Sequence, residues 1–297
     1  TGVNGQLGHD VMLELALRGH EGIGSGSGEA YRGTDRLAEV SYIPLDITDQ
    51  DAVMQVVTAT QPDVIIHCSA WTAVDAAEEI ENRERVFALN ARGPENLAKA
   101  CKKFDIPILY ISTDYVFDGK GDRPFEIDTP KNGLSVYGRS KSQGEDYVKE
   151  NTDKYFIVRT TGVFGINGNN FIKTMLKLAE SGKKELNVVD DQIVSVTYTK
   201  DLARLLVDMI ETDKYGIYHA TNEGFISWAE FAEEIFRQTH KNVKVNYVSS
   251  IEYKMMVPSQ ADRPLNSRLN KASLDNGKFN RLPDYKDALK RYLEELE

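Results

Sequence analysis

Three apolar runs, separated by stretches with helical periodicity, constrain the fold of this 297-residue chain more than any other feature. The runs cover residues 63–70, 107–112 and 155–160 and contain few charged side chains. Continuous apolar runs of this length are typical of parallel strands that are buried on both faces. Helices are predicted before the first run, at 50–60, and between the first and second runs, at 83–104, so strands and helices alternate up to residue 160. This alternation favours an α/β fold with a parallel sheet and right-handed crossovers.

A glycine-rich turn opens the chain, with Gly2, Gly5 and Gly8 in a G-x-x-G-x-x-G spacing. Glycine permits a tight turn and lets backbone N–H groups approach a pyrophosphate at the N-terminus of the next helix, predicted at 6–18. A strand is expected before such a turn, and the sequence begins at Thr1. The turn therefore predicts a dinucleotide site, with contacts from Gly2, Asn4, Gly5, Gln6, Leu7 and Gly8.

The next predicted strands, at 20–25 and 40–48, bear on which dinucleotide binds. Ser25 and two small neighbours stand where an NAD-preferring site often has an acidic residue, and Arg32 follows. This composition leans towards a 2′-phosphate and NADP, although a flexible loop is an alternative interpretation of the segment. Further cofactor contacts are predicted at strand ends, from Asp46 and Ile47 beside the adenine and from the small residues Ser69 and Ala70.

The remaining chain predicts a second, smaller α/β unit. Residues 1–160 are assigned to a dinucleotide-binding domain, to which 186–222 is expected to return, and 161–297 mainly to a substrate-binding domain. Predicted helices cover 171–181, 199–211 with Thr199 as its cap, 227–240 with a Ser227–Glu230 capping box, and 285–296; extended segments are predicted at 188–197 and 215–220, and a polar loop at 261–269.

Tyr137 and Lys141 are four residues apart, so on a helix both side chains leave the same face. A phenol with a pKa of roughly 10 exchanges its proton poorly near neutral pH, and a neighbouring cation lowers that pKa. The pair is therefore a candidate proton donor with its tuning residue. Thr113 and Asp114 follow the strand at 107–112, at the sheet edge where open α/β sheets bind ligands.

Composition excludes several other classes of function. The net charge of −10 argues against a large nucleic-acid interface, which normally requires a basic face. Cys68 and Cys101 lie in apolar runs, are expected to be buried in the core, and have no metal-ligand spacing. No apolar run is long enough to span a bilayer and no signal peptide is visible, so we expect a cytoplasmic protein without a membrane partner.

Longer motifs extend over nearly the whole chain. They are the glycine turn at 2–8, Ala-Trp-Thr-Ala-Val-Asp at 70–75, Asn-Ala at 90–91, Ser-Thr-Asp-Tyr-Val-Phe at 112–117, Val-Tyr-Gly-Arg-Ser-Lys at 136–141, Gly-Asn-Asn-Phe at 168–171 with Lys-Thr-Met at 173–175, Asp-Gln at 191–192, and Arg263-Pro264 with Ser267. Together they resemble the dTDP-4-dehydrorhamnose reductase family of the extended short-chain dehydrogenase/reductase superfamily. The resemblance implies a Rossmann-type, doubly wound parallel sheet with a smaller α/β substrate-binding domain.

The activity that the resemblance implies is reduction of dTDP-4-dehydro-β-L-rhamnose to dTDP-L-rhamnose with NADPH, or with NADH in some members. Tyr137 would protonate the C4 oxygen as hydride arrives, and Lys141 would hold the nicotinamide ribose and lower the pKa of Tyr137. Thr113 would polarise the carbonyl and Asp114 would position the sugar. The resemblance also implies cofactor contacts from Thr72 and Asn90, and substrate contacts from Thr72, Val74, Asn169, Asn170 and Arg263.

Metal dependence and assembly are less determined. Some family members bind Mg2+ through acids at a dimer interface, and Asp10 lies near the corresponding position, but a single acid is not a site. No metal ligand is therefore assigned, and a monomer or a homodimer is expected.

Two departures from the family pattern concern the walls of the predicted site. Gly162 stands where the family usually has a Trp against the sugar, which predicts weaker sugar binding because a large apolar wall is lost. Val194 and Val196 replace the Gly and Pro of a family turn, so that loop is expected to be displaced.

Two alternatives remain open. An epimerase or dehydratase of the superfamily would cycle its cofactor, and Thr113 with Asp114 does not exclude it. A non-catalytic regulatory subunit is the other alternative, since the β subunit of methionine adenosyltransferase has this fold and binds NADP. Intact Tyr137 and Lys141 favour the reductase, whereas Gly162 slightly favours the subunit.

Overall fold

The computed structural model describes residues 1–32 and 41–297, in which mostly parallel strands are interleaved with helices. The strands are β1 Ile23–Gly26, β2 Ser41–Pro44, β3 Ile65–His67, β4 Ile108–Thr113, β5 Tyr155–Thr160, β6 Val163–Phe164, β7 Glu185–Val189, β8 Ile193–Val194, β9 Thr197–Tyr198, β10 Gly216–His219, β11 Ile226–Ser227, β12 Lys244–Val248 and β13 Asn266–Ser267. The helices are α1 Gln6–Leu17, α2 Gln50–Thr60, α3 Val74–Ala77, α4 Ile80–Phe87, α5 Gly93–Phe104, α6 Val136–Asn151, α7 Phe171–Glu180, α8 Thr199–Ile210, α9 Trp228–Gln238, α10 Ser250–Met256, α11 Ala272–Asn276 and α12 Tyr285–Leu296.

A four-stranded parallel sheet in the order β10-β5-β4-β3 forms the centre of the molecule. Successive side chains of a strand point to opposite faces. Leu109 and Phe156 accordingly pack with α1 and α8, whereas Ile108 and Tyr110 pack with α2 and α5 on the other face. Helices therefore cover both faces, and the predicted doubly wound α/β fold is confirmed.

Thr1 and Gly2 lie between this sheet and the parallel β1-β2 pair. The Thr1 carbonyl accepts from the Cys68 backbone N–H (3.2 Å), and the Gly2 N–H donates to the Ser25 carbonyl (2.7 Å). The carboxyl end of the strand expected before the glycine turn would occupy this position. The glycines consequently sit at the carboxyl edge of the sheet. The predicted start of the strand at 40–48 falls on Val40, outside the described residues.

The second half of the chain builds its own core and also returns to the central sheet. Buried side chains between Phe164 and Tyr292 form one apolar cluster. Within the predicted return segment 186–222, α8 packs on α1 and β10 pairs with β5, whereas β7 pairs with β12. Val194 and Val196 are buried in this cluster, and Val194 belongs to β8, which pairs with β11 and β13. The two side chains thus contribute to the core, and the displacement of this loop relative to the family stays a prediction.

Two details of the helices differ from the sequence prediction. The single helix expected at 83–104 is α4 and α5 joined by a π-type segment, Ala88–Arg92. Thr199 is not a cap: Tyr198 precedes the helix, and the Thr199 hydroxyl donates to the Asp10 carboxylate and to the Phe164 carbonyl (3.1 Å). The Ser227–Glu230 capping box is confirmed. Among the described residues, no helix combines the length and the apolar character needed to cross a bilayer.

Candidate active site

A cleft of about 780 Å³ runs along the carboxyl edge of the central sheet. Seventeen of the predicted site residues line it, contributed by the glycine turn, the segments that follow β2, β3 and β4, helices α3 and α6, and the loop before α7. They are Gly2, Asn4, Gly5, Gln6, Leu7, Gly8, Asp46, Ile47, Ser69, Ala70, Thr72, Val74, Thr113, Asp114, Tyr137, Lys141 and Asn169. The fold thus brings the dinucleotide motif and the acid/base pair to one cavity.

The glycine turn presents backbone rather than side chains to this cleft. A Cβ at Gly8 would lie 2.2 Å from the Gly2 carbonyl oxygen, and Gly2 itself has a φ of +77°, so both positions require glycine. Helix α1 begins after Gly5 without a side-chain cap and without an acidic residue in its first turn. A helix N-terminus of this kind favours an anion, since its N–H groups and its macrodipole both point at the ligand.

Tyr137 lies in the first turn of α6, which Ser135 caps by accepting from the Gly138 N–H (3.0 Å). Its ring packs edge-on against Tyr115, with 5.5 Å between the ring centroids. Burial raises the pKa of the Tyr137 phenol, and the hydrogen bond with the Thr113 hydroxyl only partly offsets this. Tyr137 therefore holds its proton at neutral pH, which suits a proton donor.

Lys141 follows one helical turn later and is almost completely buried. Its Nζ donates to the Ile111 carbonyl (2.7 Å) and lies 4.1 Å from the centroid of the Tyr110 ring. Burial lowers the pKa of Lys141 to about 7. The prediction that Lys141 lowers the pKa of Tyr137 is wrong for the protein groups alone. Burial has the largest effect on the pKa of the Tyr137 phenol and raises it. The Lys141 Nζ donates its hydrogen bond to the Ile111 carbonyl in β4.

Asp114 presents a buried carboxyl at the end of β4, only 2% exposed. Burial raises the pKa of Asp114 to about 6, while hydrogen bonds from the Ser267, Thr161 and Thr113 hydroxyls act in the opposite direction. The Asp114 Oδ2 atom has no hydrogen-bond partner among the described residues at ordinary geometry. A carboxyl with spare acceptor capacity in a cleft can bind a ligand hydroxyl.

Other cleft residues were missed by the sequence analysis. The end of β5 and the segment after it contribute Thr160, Thr161 and Val163 around Gly162, which the motif comparison had already placed in the site wall, and the loop before α7 contributes Asn167 and Gly168. The rule that identified Thr113, namely that ligands bind at the carboxyl ends of parallel strands, also applies to the end of β5. Cys68 also lines the cleft and is half-buried against the apolar core, so the prediction of a buried core cysteine is confirmed for Cys101 and holds only in part for Cys68.

Two predicted asparagines lie behind the cleft lining. Asn90 is fully buried in the π-type segment, where its side chain accepts from the Trp71 N–H (2.8 Å) and donates to the Ser140 Oγ (3.0 Å). Asn170 caps α7, and its amide donates to the Gln6 Oε1 (2.9 Å). Both side chains thus hold cleft-lining segments in position and do not themselves belong to the lining.

Three further predicted residues also fall outside the cleft lining. The Arg263 Nη2 donates to both carboxylate oxygens of Asp75 (2.8 Å each), and its Nη1 donates to the Tyr115 hydroxyl at a longer distance (3.4 Å). Ser25 lies in β1, with its backbone carbonyl bound to Gly2. The Arg32 backbone N–H donates to the Asn4 side-chain oxygen (2.6 Å), so Arg32 adjoins a residue that does line the cleft.

No group of three or more His, Cys, Asp or Glu side chains that could hold a metal ion occurs in residues 1–32 and 41–297. Asp10 is buried and accepts from the Thr199 hydroxyl. Burial raises the pKa of Asp10 to about 6.

Comparison with known proteins places this geometry in a family. The family model described as "RmlD substrate binding domain" matches residues 1–297. A dTDP-4-dehydrorhamnose reductase from Aggregatibacter actinomycetemcomitans is 36% identical over 98% of this chain and 96% of its own length. The chain belongs to the dTDP-4-dehydrorhamnose reductase family. The resemblance inferred from the sequence motifs is thereby confirmed.

Two other known proteins are similar over nearly the whole chain. A spore coat polysaccharide biosynthesis protein of Bacillus subtilis, SpsK, is 35% identical over 99% of this chain and 96% of its own length. The crystal structure of a dTDP-4-dehydrorhamnose reductase from Bacillus anthracis, in complex with NADP, superposes with a TM-score of 0.86 at 37% identity, covering 99% of this chain and 97% of that one. Family and fold therefore extend over the whole described chain.

Proposed function

We propose that this protein reduces dTDP-4-dehydro-β-L-rhamnose to dTDP-L-rhamnose with NADPH. The observation that carries the proposal is the convergence of Thr113, Tyr137 and Lys141 with the glycine turn on one cleft. A reductase of a sugar ketone needs a dinucleotide site, a proton donor and a group that polarises the carbonyl. All three lie along the same wall of the molecule, in a chain whose relatives carry the name of this activity.

The glycine turn and the uncapped N-terminus of α1 suit a dinucleotide pyrophosphate, because they offer backbone N–H groups and no acidic side chain. Bound NADPH would supply the hydride that reaches C4 of the sugar. The relative from Bacillus anthracis was crystallised with NADP, and Arg32 beside Asn4 supplies a cation near the cleft for a 2′-phosphate. NADPH is therefore the preferred reductant in this proposal, and NADH is tested beside it.

Tyr137 gives its phenolic proton to the C4 oxygen. Its burial keeps the phenol protonated before the reaction, and Thr113 lies at hydrogen-bond range of the same hydroxyl. Thr113 can thus donate to the same carbonyl oxygen as Tyr137 and polarise it. Lys141 binds the nicotinamide ribose and contributes positive charge next to the phenolate that remains.

The sugar occupies the part of the cleft lined by Asp114, Thr72 and Val74. Asp114 accepts from a sugar hydroxyl through its unpartnered Oδ2. Asn169 faces the nucleotide half of the ligand. Arg263 binds the diphosphate by exchanging its ion pair with Asp75 for one with the ligand. Asn170 acts indirectly, through its hydrogen bond to the Gln6 side chain.

The test is NADPH oxidation in the presence of dTDP-4-dehydrorhamnose, followed by absorbance at steady state for the unaltered chain and for Tyr137→Phe. We expect kcat to fall by roughly a hundredfold or more in Tyr137→Phe, since a positioned general acid contributes about 10²–10⁴ in rate. The KM for NADPH should change little, because the phenyl ring still fills the wall beside Tyr115.

The same assay separates the alternatives. A reductase consumes one NADPH for each sugar converted, whereas an epimerase or dehydratase would convert sugar without net oxidation. Binding of NADPH without any turnover by the unaltered chain would replace the proposal with the regulatory-subunit function. Equal rates for the two forms would remove the role given to Tyr137. A parallel series with NADH measures the cofactor preference.

A further inference from the structure

A buried ion pair lies directly beneath the catalytic wall. Glu145 of α6 and Arg159 of β5 form two parallel hydrogen bonds of 2.8 Å, with both side chains at most 3% exposed. Burial disfavours the charge of Glu145, but the hydrogen bonds and charge of Arg159 outweigh this and hold the pKa of Glu145 below its usual range. Glu145 is therefore an anion at neutral pH inside the protein.

The Glu145 carboxylate joins three segments that line the cleft. The Ser112 hydroxyl donates to its Oε1 (2.5 Å), and Ser112 directly precedes Thr113. Arg159 directly precedes Thr160 at the end of β5, and its guanidinium also donates to the Ile127 carbonyl (2.9 Å) in the loop that leads to α6. Glu145 itself belongs to the helix that carries Tyr137 and Lys141. One carboxylate thus fixes the relative positions of the proton donor and the strand ends opposite it.

Glu145 also faces Lys141, because residues four apart on a helix are neighbours. Burial lowers the pKa of Lys141, and the negative charge of Glu145 is the strongest opposing influence. The other titratable groups around Lys141 are Tyr137 on its own helix, Tyr110 on β4, and His67 and Cys68 at the end of β3. Burial keeps all four uncharged at neutral pH: it raises the pKa of both phenols and of the Cys68 thiol and lowers the pKa of His67.

We infer that Glu145 is a positioning residue for the reduction: its buried carboxylate clamps the ends of β4 and β5 against α6 and supplies the negative charge that faces Lys141. It does not touch substrate or cofactor, and it acts through Ser112, Arg159 and Lys141. The inference rests on the proposed function for its effect on turnover. Its electrostatic part concerns the protein alone and can be measured without substrate.

The decisive variant is Glu145→Gln, which keeps the side-chain shape and removes the charge. Lys141 must be cationic, so activity is lost as the pH rises through its pKa, and removal of the facing anion moves this alkaline limb to lower pH. We expect a shift of about one pH unit in kcat/KM, which is about tenfold in rate at a fixed pH above the limb. A shift in the same direction is expected for the Lys141 signal in an NMR titration of Nζ-labelled lysine, assigned from its absence in Lys141→Arg.

The matched control is Asp201→Asn, which breaks a second ion pair, one with a buried carboxylate and a partly exposed guanidinium. Asp201 is 2% exposed and receives two hydrogen bonds from Arg291 (2.8 and 2.7 Å), away from the cleft lining. This variant should lose stability and keep the pH profile. Glu145→Asp retains the charge but is one methylene too short to reach both Ser112 and Arg159. It should keep the alkaline limb in place and lower kcat, and it tests the clamp even if Glu145→Gln does not fold.

Three results would overturn the inference: an unmoved alkaline limb in Glu145→Gln, a pH profile shifted equally by Asp201→Asn, or an unchanged kcat in Glu145→Asp. If the unaltered chain shows no reductase activity but the NMR titration of Lys141 shifts in Glu145→Gln, the proposed function fails and the electrostatic role of Glu145 stands. An unshifted NMR titration removes that role whatever the activity.

Discussion

At the scale of single residues, the Asp114 carboxyl is buried, and burial disfavours its ionised form. The Ser267, Thr161 and Thr113 hydroxyls donate to it, but burial outweighs these hydrogen bonds and raises its pKa to about 6. The native state therefore binds a proton on Asp114 more tightly than the unfolded chain does, in which the pKa is near 3.8. Stability contributed by this residue falls as the pH rises from about 4 to about 6. If sugar binding requires ionised Asp114, the folded protein is less stable at neutral pH by the free energy of ionising this buried carboxyl.

Asp114→Asn should consequently stabilise the protein at pH 7 while lowering kcat/KM for the sugar nucleotide. A shift of about two pKa units corresponds to roughly 3 kcal/mol at most, and the difference from the unaltered chain should shrink to zero as the pH falls from 6 to 4. Denaturant unfolding at several pH values measures this. A less stable Asp114→Asn at pH 7 would contradict the assignment.

At the scale of elements, the turn after β5 decides the shape of the sugar-binding wall. Gly162 adopts a φ of +58°, in the left-handed region, and a Cβ built on it would lie 3.1 Å from the Cα of Val196. The resemblance to the family predicts weaker sugar binding because a Trp is absent here. A Gly162→Trp variant tests this through the KM for the sugar nucleotide, but the backbone conformation and the contact with Val196 both oppose any side chain.

Gly162→Ala isolates this local effect. The left-handed conformation costs an alanine about 1 kcal/mol, and the close approach to Val196 adds to it. Gly182 has a φ of +87° and no heavy atom within 4 Å of a built Cβ. Gly182→Ala therefore has the cost of the left-handed conformation but no steric contact. Chemical denaturation should show Gly162→Ala less stable than Gly182→Ala by roughly 1 kcal/mol. Equal losses would mean that the Val196 segment moves aside freely.

At the scale of the whole molecule, the two halves of the chain share the central sheet. Strand β10 extends it beside β5, helix α8 covers α1, and Leu274, Phe279 and Leu282 join the apolar cluster on the same face. Contacts at the cleft add to this, since the Gly165 N–H and the Asn170 amide both donate to the Gln6 side chain (2.9 Å each). The second half therefore completes the core of the first.

A fragment of residues 1–160 should fail to fold cooperatively for this reason. It would expose the edge of β5 and the apolar surface of α1 that α8 covers. The intact chain should unfold in a single transition by circular dichroism and by tryptophan fluorescence, whereas the fragment should show no cooperative transition. A fragment with a sharp transition of its own would restore the predicted boundary at residue 160 as that of an independent domain.

Much of the fold and of the site could be predicted from local sequence. Uninterrupted apolar runs identified β3, β4 and β5, because a strand buried on both faces has no polar side. Glycine spacing identified the turn at 2–8, since only glycine tolerates its close backbone approach. Hydroxyl and carboxyl groups at strand ends gave Thr113 and Asp114, and the four-residue spacing put Tyr137 and Lys141 on one helix face.

Long-range contacts decided the remainder. Burial, and not the Lys141 cation, sets the direction in which the pKa of Tyr137 moves. Burial in turn depends on every segment that packs around the ring. Arg263 is held by Asp75, which is 188 residues away in sequence, and Glu145 meets Arg159 and Ser112 only after β4, β5 and α6 have packed. Sequence by itself determined which chemical groups reach the carboxyl edge of the sheet. Tertiary structure decided their charge states and partners, because both depend on solvent exclusion and on neighbours that no local pattern encodes.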